Sequence, residues 1–173
     1  MAFAAETTEA QLLGAQSDRV AALRIIGRAT FKISAELRDF GLAAVRRNSD
    51  AVVLDFSKCA SLDSTILGVI AMIGLEGRGT TAMIAVNASP GVLKQLKGVG
   101  LGKLLRFNDS DTEQMDWAEL CAAAAGSVET EDLADTMLEA HETLMNLDRR
   151  NIPVFRDVVD LLKEQTDSSD ADA

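Results

Sequence analysis

The residues best suited to chemistry are three small polar side chains at the start of a strongly apolar segment. Asp63, Ser64 and Thr65 come shortly after the aliphatic run Ala51–Phe56 and directly precede the apolar run Ile66–Leu75. Asp, Ser and Thr are preferred at helix starts, because their oxygens accept hydrogen bonds from the unpaired amides of the first turn. The simplest interpretation is therefore that Asp63 caps a helix and that the motif has no further role.

The same geometry is compatible with a second role for Ser64. With Asp63 as the cap, we expect Ser64 on the first turn, with its hydroxyl outward at the exposed edge of a sheet. A kinase could reach it there, and phosphorylation would add about 1.5 to 2 negative charges. The helix amino end favours such a charge, whereas the Asp63 carboxylate repels it. We therefore expect the fold to tolerate the phosphate and a docked partner to be sensitive to it.

The segments around this motif alternate between strand and helix patterns up to about residue 108. Gln11–Ala15 is a candidate edge strand, Gly27 is expected to end the second strand, and Ser57–Leu62 reads as a loop. The remaining periodicities predict strands at Val20–Ile26, Ala51–Phe56, Thr80–Val86 and Lys103–Phe107, and helices over Phe31–Arg47 (capped by Ser34), Ser64–Glu76 and from Pro90 to Gly98 or Gly100. This alternation indicates an α/β sheet with crossover helices.

The chain changes character after residue 108. Residues 1–108 carry 13 basic and 9 acidic side chains, whereas residues 109–173 carry 4 basic and 18 acidic ones. The net charge thus changes from +4 to −14 across a boundary near Asn108. We predict an acidic helical extension over 109–166, with helices at Glu113–Ala125, Glu129–Leu147 and Val154–Gln165, and a disordered tail over 167–173.

Composition excludes several classes of protein. The 173 residues carry a net charge of −10 and contain one Trp and no Tyr, which argues against nucleic-acid binding. Cys59 and Cys121 suggest no disulfide framework, and we interpret Cys59 as a small buried hydrophobe. We see no signal peptide in the first residues and no transmembrane stretch, so we predict a cytoplasmic protein.

The chain offers little material for catalysis. Its single histidine, His141, stands among apolar residues at helical spacing, and we interpret it as a core or interface residue. Ser64 lacks the Gly-x-Ser-x-Gly setting of a hydrolase nucleophile. The sequence contains no cluster of metal ligands, and its Gly98-x-Gly100-x-Gly102 follows a helix, unlike a dinucleotide fingerprint. We therefore predict no metal and no cofactor.

The segment from Ile66 to Leu75 has almost no polar face. A helix that is apolar all round is covered on all sides, either by its own chain or by a partner. We expect the C-terminal helices, or a second subunit in a homodimer, to cover the flank that the sheet leaves open. Ordinary burial against the sheet is the alternative, and the opposite charges of the two halves would favour intramolecular docking.

Three sequence landmarks, which follow one another along the chain in the order typical of one family, give a family resemblance over about residues 15–108. The first is the run Val52–Phe56, Ser57 and Asp63-Ser64-Thr65-Ile66-Leu67-Gly68; the second is Val86–Pro90 with the glycine-rich Gly100–Leu105; the third is the upstream pair Gly27–Phe31 and Leu37–Phe40. Together they resemble the anti-sigma factor antagonists of the STAS family. The resemblance implies a STAS-like mixed β-sheet flanked by helices in residues 1–108, followed by a C-terminal α-helical extension.

The resemblance also implies a binding module and not an enzyme. In that family the Ser after the motif Asp, here Ser64, is phosphorylated by a serine kinase that is also the anti-sigma factor, and a serine phosphatase reverses the modification. The unphosphorylated form binds the kinase, with Asp63, Ser64, Thr65 and Ile66 at the contact. Ile66 departs from the family pattern, which has Gly there, and would alter partner choice. A STAS adaptor subunit of a transport complex, such as a lipid-transport ATPase, and a small-molecule-binding STAS domain are the alternatives.

Overall fold

The computed structural model describes residues 9–120 and 130–170, and its centre is one six-stranded sheet. The strands are β1 Gln11–Gln16, β2 Val20–Ala29, β3 Ala51–Leu62, β4 Ala82–Val86, β5 Leu105–Asn108 and β6 Ala118–Glu119. Their order across the sheet is β5-β4-β3-β2-β1-β6. Strands β2 to β5 are parallel, whereas β1 is antiparallel to both β2 and β6. The predicted mixed sheet is therefore confirmed.

Three helices connect the parallel strands: α1 Ser34–Arg46, α2 Ser64–Glu76 and α3 Pro90–Gly98. Each crossover moves one strand further in the same direction across the sheet. Because such crossovers are right-handed, all three helices lie on one face of the sheet. The main core fills the space between this face and the helices, with fully buried side chains such as Leu54, Ile70 and Leu96.

Helix α1 begins differently from the prediction. Residues Phe31–Ile33 form a short 3-10 helix, and Ser34 is the first residue of α1 and not its cap. The Ser34 side chain is buried and its hydroxyl donates a hydrogen bond to the Phe31 carbonyl at 2.6 Å. The serine therefore stabilises the turn that precedes the helix.

Strands β2 and β3 extend beyond the predicted bounds. Neither Gly27 nor Ser57 ends a strand, because the two strands continue to pair up to Ala29 and Leu62 through two irregularities of the register. Gly27 has a φ of 77°, a left-handed conformation that glycine adopts at such bulges without steric cost. The predicted loop is thus a long two-stranded extension, which reaches the start of α2.

The segment after β5 is not the predicted helix. Residues 113–120 contain a turn and strand β6, which pairs with Leu13 and Gly14 of β1; residues 121–125 of the predicted helix lie outside the described part of the chain. Local side-chain bonds stabilise this non-helical course: the Trp117 indole donates to the Thr112 carbonyl at 2.9 Å, and the Asp111 carboxylate accepts from the Glu113 amide at 3.0 Å. The candidate edge strand β1 is consequently flanked on both sides.

A buried polar cluster lies on the sheet face opposite the helices, at the registered pair Arg24 and Asp55. The two side chains are 3% and 0% exposed, and Arg24 Nε lies 2.8 Å from Asp55 Oδ2. Thr112 Oγ1 donates to the same carboxylate oxygen at 2.6 Å, and the Trp117 ring lies 4.5 Å from the Arg24 guanidinium carbon. We call Arg24, Asp55, Thr112 and Trp117 the Arg24–Asp55 cluster. It attaches the start of the extension to the sheet.

Two long helices form the rest of the extension: α4 Thr130–Leu147 and α5 Ile152–Asp170. Helix α4 packs on α2, and α5 packs on α4 through Phe155, Val159 and Leu162. Helix α5 runs beyond its predicted end, so residues 167–170 of the predicted disordered tail are helical. The Ser168 hydroxyl donates to the Glu164 carbonyl, and neither Gly nor Pro interrupts this stretch. Residues 171–173 lie outside the described residues.

No helix within the described ranges 9–120 and 130–170 has both the length and the apolar character needed to cross a bilayer.

Candidate functional site

The motif residues lie where β3 ends and α2 begins, at the end of the sheet where β2 and β3 extend beyond their neighbours. Strand β4 pairs with β3 only as far as Asp55, so the end of β3 needs other partners. Gln95 of α3 supplies them: its side-chain amide exchanges two hydrogen bonds with the backbone of Leu62, at 3.1 and 2.9 Å. The Asp63 amide then donates to the Ala29 carbonyl at 3.0 Å. The start of α2 is therefore fixed against both β2 and α3.

Asp63 is the cap of α2, as predicted. Its Oδ1 accepts from the Ile66 amide at 2.9 Å, and its Oδ2 accepts from the Phe31 amide at 2.7 Å. The first bond satisfies an amide of the opening turn, an interaction that typically contributes about 1 kcal/mol. The second bond joins the helix to the turn after β2. Both carboxylate oxygens are thus engaged, and the group holds a negative charge beside Ser64.

Ser64 is the first residue of α2, but its hydroxyl is not outward, so that part of the prediction is wrong. The side chain is half-buried, and Ser64 Oγ lies 2.8 Å from Nε2 of His141 on α4. The Nδ1 atom of His141 lies 2.6 Å from the Met137 carbonyl oxygen, so Nδ1 must carry a proton and donate. In the neutral ring Nε2 then has a lone pair, and the Ser64 hydroxyl donates to it.

His141 is an interface residue, as the sequence indicated, and it is only 2% exposed. Its ring packs edge-on against Phe155 of α5, with 5.4 Å between the ring centroids. The histidine therefore joins α2, α4 and α5 at one point. The sequence offered no way to pair it with Ser64, because 77 positions separate the two residues. The one sequence feature that pointed to a buried role for His141 was its position in the apolar stripe of an otherwise acidic helix.

Thr65 and Ile66, the other two predicted contact residues, are buried at 2% and 0% exposure. Ile66 belongs to the main core, so its branched side chain points inward and does not enlarge the outer surface of the first turn. Neither side chain is available to a partner in this conformation. The accessible part of the motif is limited to Asp63 and Ser64, which are half-buried.

Helices α2 and α4 approach each other most closely at Gly68, one turn after Ser64. A Cβ atom at Gly68 would lie 2.4 Å from the Ala140 carbonyl oxygen and 2.6 Å from the Ala140 Cβ, so only glycine fits. Ala140 and Leu144 are fully buried in this contact region. The expectation that the C-terminal helices cover the apolar flank of α2 is therefore confirmed.

Polar contacts hold α4 at both ends of this crossing. Near its start, Arg38 of α1 donates to the Thr136 hydroxyl; beyond its end, Asn151 donates to the carbonyls of Val99 and Leu144 at 2.9 and 2.7 Å. Lys103 also forms an ion pair of 3.2 Å with Asp148. The Arg150 side chain and amide, together with Lys103, lower the pKa of Asp148 well below its usual range. The extension is thus docked mainly by apolar packing with a few directed bonds.

Cys59 lies on β3 near the motif and is buried. Burial raises the pKa of its thiol to about 11, an effect that a backbone interaction with Ser61 only partly offsets. The thiol is therefore protonated at neutral pH and unreactive as a nucleophile. Its interpretation as a small buried hydrophobe is confirmed.

Comparison with known proteins identifies the sheet domain. A family model described as "Mlab, STAS domain" matches residues 13–106, which is more than half of the chain. The chain belongs to the STAS domain family. The match ends within β5, so the extension, including His141, lies outside the STAS domain that the family model describes.

Solved structures support the same fold. The unphosphorylated form of the anti-sigma factor antagonist SpoIIAA is 19% identical with a TM-score of 0.50, and covers 59% of this chain and 90% of its own. An anti-sigma factor antagonist from Mycobacterium paratuberculosis is 20% identical with a TM-score of 0.52, covering 59% of this chain and 87% of its own. No curated protein matches the sequence. At these identities the likeness concerns the fold.

Proposed function

We propose that this STAS protein is a phosphorylation-controlled protein-binding switch, with Ser64 as the residue that is modified. The observation that carries the proposal is the position of Ser64: the first residue of α2, directly after the capping carboxylate of Asp63, at the end of the longest strand of a STAS sheet. A hydroxyl at this place is fixed by rigid elements on three sides. The surrounding backbone therefore presents it in one defined orientation.

A phosphate at Ser64 changes the local charge more than the local fold. It adds about 1.5 to 2 negative charges to a helix start whose partial positive charge favours anions. The Asp63 carboxylate opposes it, yet both Asp63 oxygens are held by backbone amides and keep their partners. The cap and the sheet should therefore survive the modification, while a protein surface that docks on Ser64 meets a new anion.

The partners that this function requires are those implied by the likeness to anti-sigma factor antagonists. A serine kinase, itself the anti-sigma factor, transfers the γ-phosphoryl group of ATP to Ser64: the Oγ–P bond forms, the bond to ADP breaks, and the hydroxyl loses its proton. The unphosphorylated protein binds this kinase, and a serine phosphatase hydrolyses the ester to reset the switch. The STAS protein itself supplies the acceptor and the binding surface.

The test combines phosphosite mapping with partner capture. The protein is isolated from its own cells under several growth conditions, and its phosphorylated residues are identified by mass spectrometry. Tagged wild-type, Ser64→Ala and Ser64→Asp chains are then used as bait, with Ser110→Asp as the matched control because Ser110 is exposed and lies after β5. We expect phosphate on Ser64, and a kinase that binds wild type and Ser110→Asp at least tenfold more strongly than Ser64→Asp.

The proposal is wrong if Ser64 carries no phosphate under any condition and Ser64→Asp retains every partner of the wild type. Retention of partners by Ser64→Asp alone is not decisive, because a carboxylate carries less charge than a phosphate. Phosphoserine placed at position 64 during translation therefore replaces Asp in a second round of capture.

A second function is favoured by the engagement of Ser64 within its own chain. Its hydroxyl is already hydrogen-bonded to His141, so the motif can serve capping and helix contact alone. The protein would then be a STAS adaptor subunit of a transport or signalling complex, for example an accessory subunit of a lipid-transport ATPase. Copurification with an ATPase that phosphatase treatment and Ser64→Asp both leave unchanged would support this function over the switch.

A further inference from the structure

The bond between Ser64 and His141 depends on the proton of the serine hydroxyl. Because the Met137 carbonyl fixes the proton of His141 on Nδ1, the facing Nε2 atom is an acceptor, and Ser64 must donate to it across 2.8 Å. Phosphorylation removes this hydroxyl proton and puts three anionic oxygens in front of the Nε2 lone pair. With the ring neutral, the contact changes from a hydrogen bond to a repulsion between the Nε2 lone pair and the phosphate oxygens.

The helices α2 and α4 are tightly packed one turn after Ser64. Gly68 lies four residues after Ser64 and hence on the same face of α2, and there the helices are so close that one added carbon would lie 2.4 Å from the Ala140 carbonyl oxygen. His141 is the next residue on α4 and is buried against Phe155. A group larger than a hydroxyl at Ser64 therefore requires α4 to move away.

The residue directly before Ser64 in the chain is Asp63, a carboxylate, which opposes a second negative charge. No Lys or Arg side chain among residues 9–120 and 132–168 hydrogen-bonds to Asp63, Ser64 or His141. The His141 ring is held by the Met137 carbonyl on one side and by the Phe155 ring on another.

We infer that helix α4 is a lid over Ser64, and that docking of α4 and a phosphate on Ser64 exclude each other. This inference rests on the proposed function, because it takes Ser64 as the phosphorylated residue. Thermodynamic linkage makes the exclusion reciprocal: to the extent that docked α4 disfavours the phosphate, the phosphate disfavours docked α4. Phosphorylation of Ser64 thereby controls whether the extension covers α2.

The lid also defines the kind of partner that the α2 surface fits. The face now covered by α4 is apolar and has a glycine at its centre, where only a small residue such as Ala140 can cross. The surface fits an amphipathic helix with a small residue at the crossing point. A partner that uses this face must displace α4, and it meets an open surface once Ser64 carries a phosphate.

The experiment installs phosphoserine at position 64 of the full chain during translation and follows amide hydrogen exchange by mass spectrometry. We expect the amides of α4 to exchange at least tenfold faster than in the unmodified chain, while those of β4, Ala82–Val86, stay equally protected. Phosphoserine at the exposed position 110 is the matched control and should leave α4 unchanged. Equal or slower exchange of α4 with phosphoserine 64 would overturn the inference.

A second variant covers the case in which the modified chain loosens as a whole. If β4 also loses protection with phosphoserine 64, Ser64→Glu adds a larger group with a single charge, and selective release of α4 in that chain supports the lid. Protection of α4 in Ser64→Glu equal to wild type would then count against it. The exchange experiment and the test of the proposed function can fail separately. Mapping in cells can find no phosphate on Ser64 although an installed phosphate releases α4, and it can find the phosphate although α4 stays docked.

Discussion

The extension covers the STAS sheet at two places that differ in kind. On the open face, Thr112 and Trp117 close over a buried ion pair whose carboxylate accepts bonds from Arg24, Thr112 and the Ser57 amide. On the helical face, α4 closes over Ser64 with a hydrogen bond from the serine hydroxyl and apolar packing, and polar contacts hold its two ends. Removing the first cover would take from the buried Arg24–Asp55 pair its bonds to Thr112 and Glu113, whereas removing the second exposes mainly apolar surface. We therefore expect the attachment at the Arg24–Asp55 cluster to be permanent and the attachment of α4 to be reversible.

The largest expected effect comes from breaking the permanent attachment. Asp55→Ala removes the buried ionic partner of the Arg24 guanidinium, which is 3% exposed, and leaves it only the largely exposed Glu113 carboxylate. Truncating one member of a buried pair typically costs about 3–5 kcal/mol, and we expect that loss in the free energy of unfolding measured with urea. Asp50→Ala is the control, since its ion pair with Arg19 is exposed and should contribute little. Equal unfolding midpoints for the two variants would show that the cluster is not an anchor.

The next effect concerns the crossing of α2 and α4. Gly68→Ala introduces a methyl group where the Ala140 backbone leaves no space, and overpacking of this kind costs about 1–3 kcal/mol. We expect fast hydrogen exchange in α4 and an unchanged sheet. Gly91→Ala is a matched helical control, because the nearest atom to its added methyl, Ser89 Oγ, lies 4.0 Å away. If Gly68→Ala keeps α4 protected, the close approach is not what holds the lid in register.

A smaller effect measures the bond at the site itself. Ser64→Ala, His141→Ala and the double variant form a mutant cycle, and we expect a coupling of about 1 kcal/mol, the usual net value of a neutral hydrogen bond. Urea unfolding of the four chains gives the coupling free energy. If the losses of the two single variants add up to the loss of the double variant, Ser64 and His141 contribute independently to stability. That result would contradict a hydrogen bond between them.

The smallest effect is the dependence on pH that the Asp55 carboxylate contributes. Burial would raise the pKa of Asp55, but the hydrogen bonds from Thr112, the Ser57 amide and Arg24 together lower it below its ordinary value. The stability that this carboxylate contributes is therefore complete above about pH 4, the unfolded-state pKa, and is lost as the pH falls through the lower folded-state pKa. The gap in unfolding free energy between wild type and Asp55→Asn should narrow below pH 4. A gap that is constant down to pH 3 would contradict this.

The sequence predicted most of the sheet domain because local signals there agree with the tertiary structure. Asp63 accepts the expected capping bond, α2 has the predicted bounds Ser64–Glu76, and α3 runs from Pro90 to Gly98 as predicted. The errors arose where distant residues decide the outcome. Ser57 continues a strand because β2 extends alongside it, and Trp117 lies outside any helix, with its ring packed against Arg24.

The site was predicted in its chemistry but not in its surroundings. The cap and the position of Ser64 follow from residue types next to each other in the chain. The cover over Ser64 depends on where α4 docks, and no local pattern near residue 141 specifies that. The apolar circumference of α2 did require a covering surface, and the acidic extension supplied it within the same chain.

Strand β6 has a consequence for the kinetics of such a lid. The extension begins on the open face at Thr112, passes the sheet edge where β6 pairs with β1, and reaches the helical side at Leu120, close to Phe40. A released α4 would therefore remain tethered a few residues from its docking surface. A tether of a few residues gives a local concentration of about a millimolar, so a competitor at about micromolar concentration must bind α2 about a thousandfold more tightly than α4 does to replace it. Rebinding of α4 would also be unimolecular, and its rate independent of how much protein the cell contains.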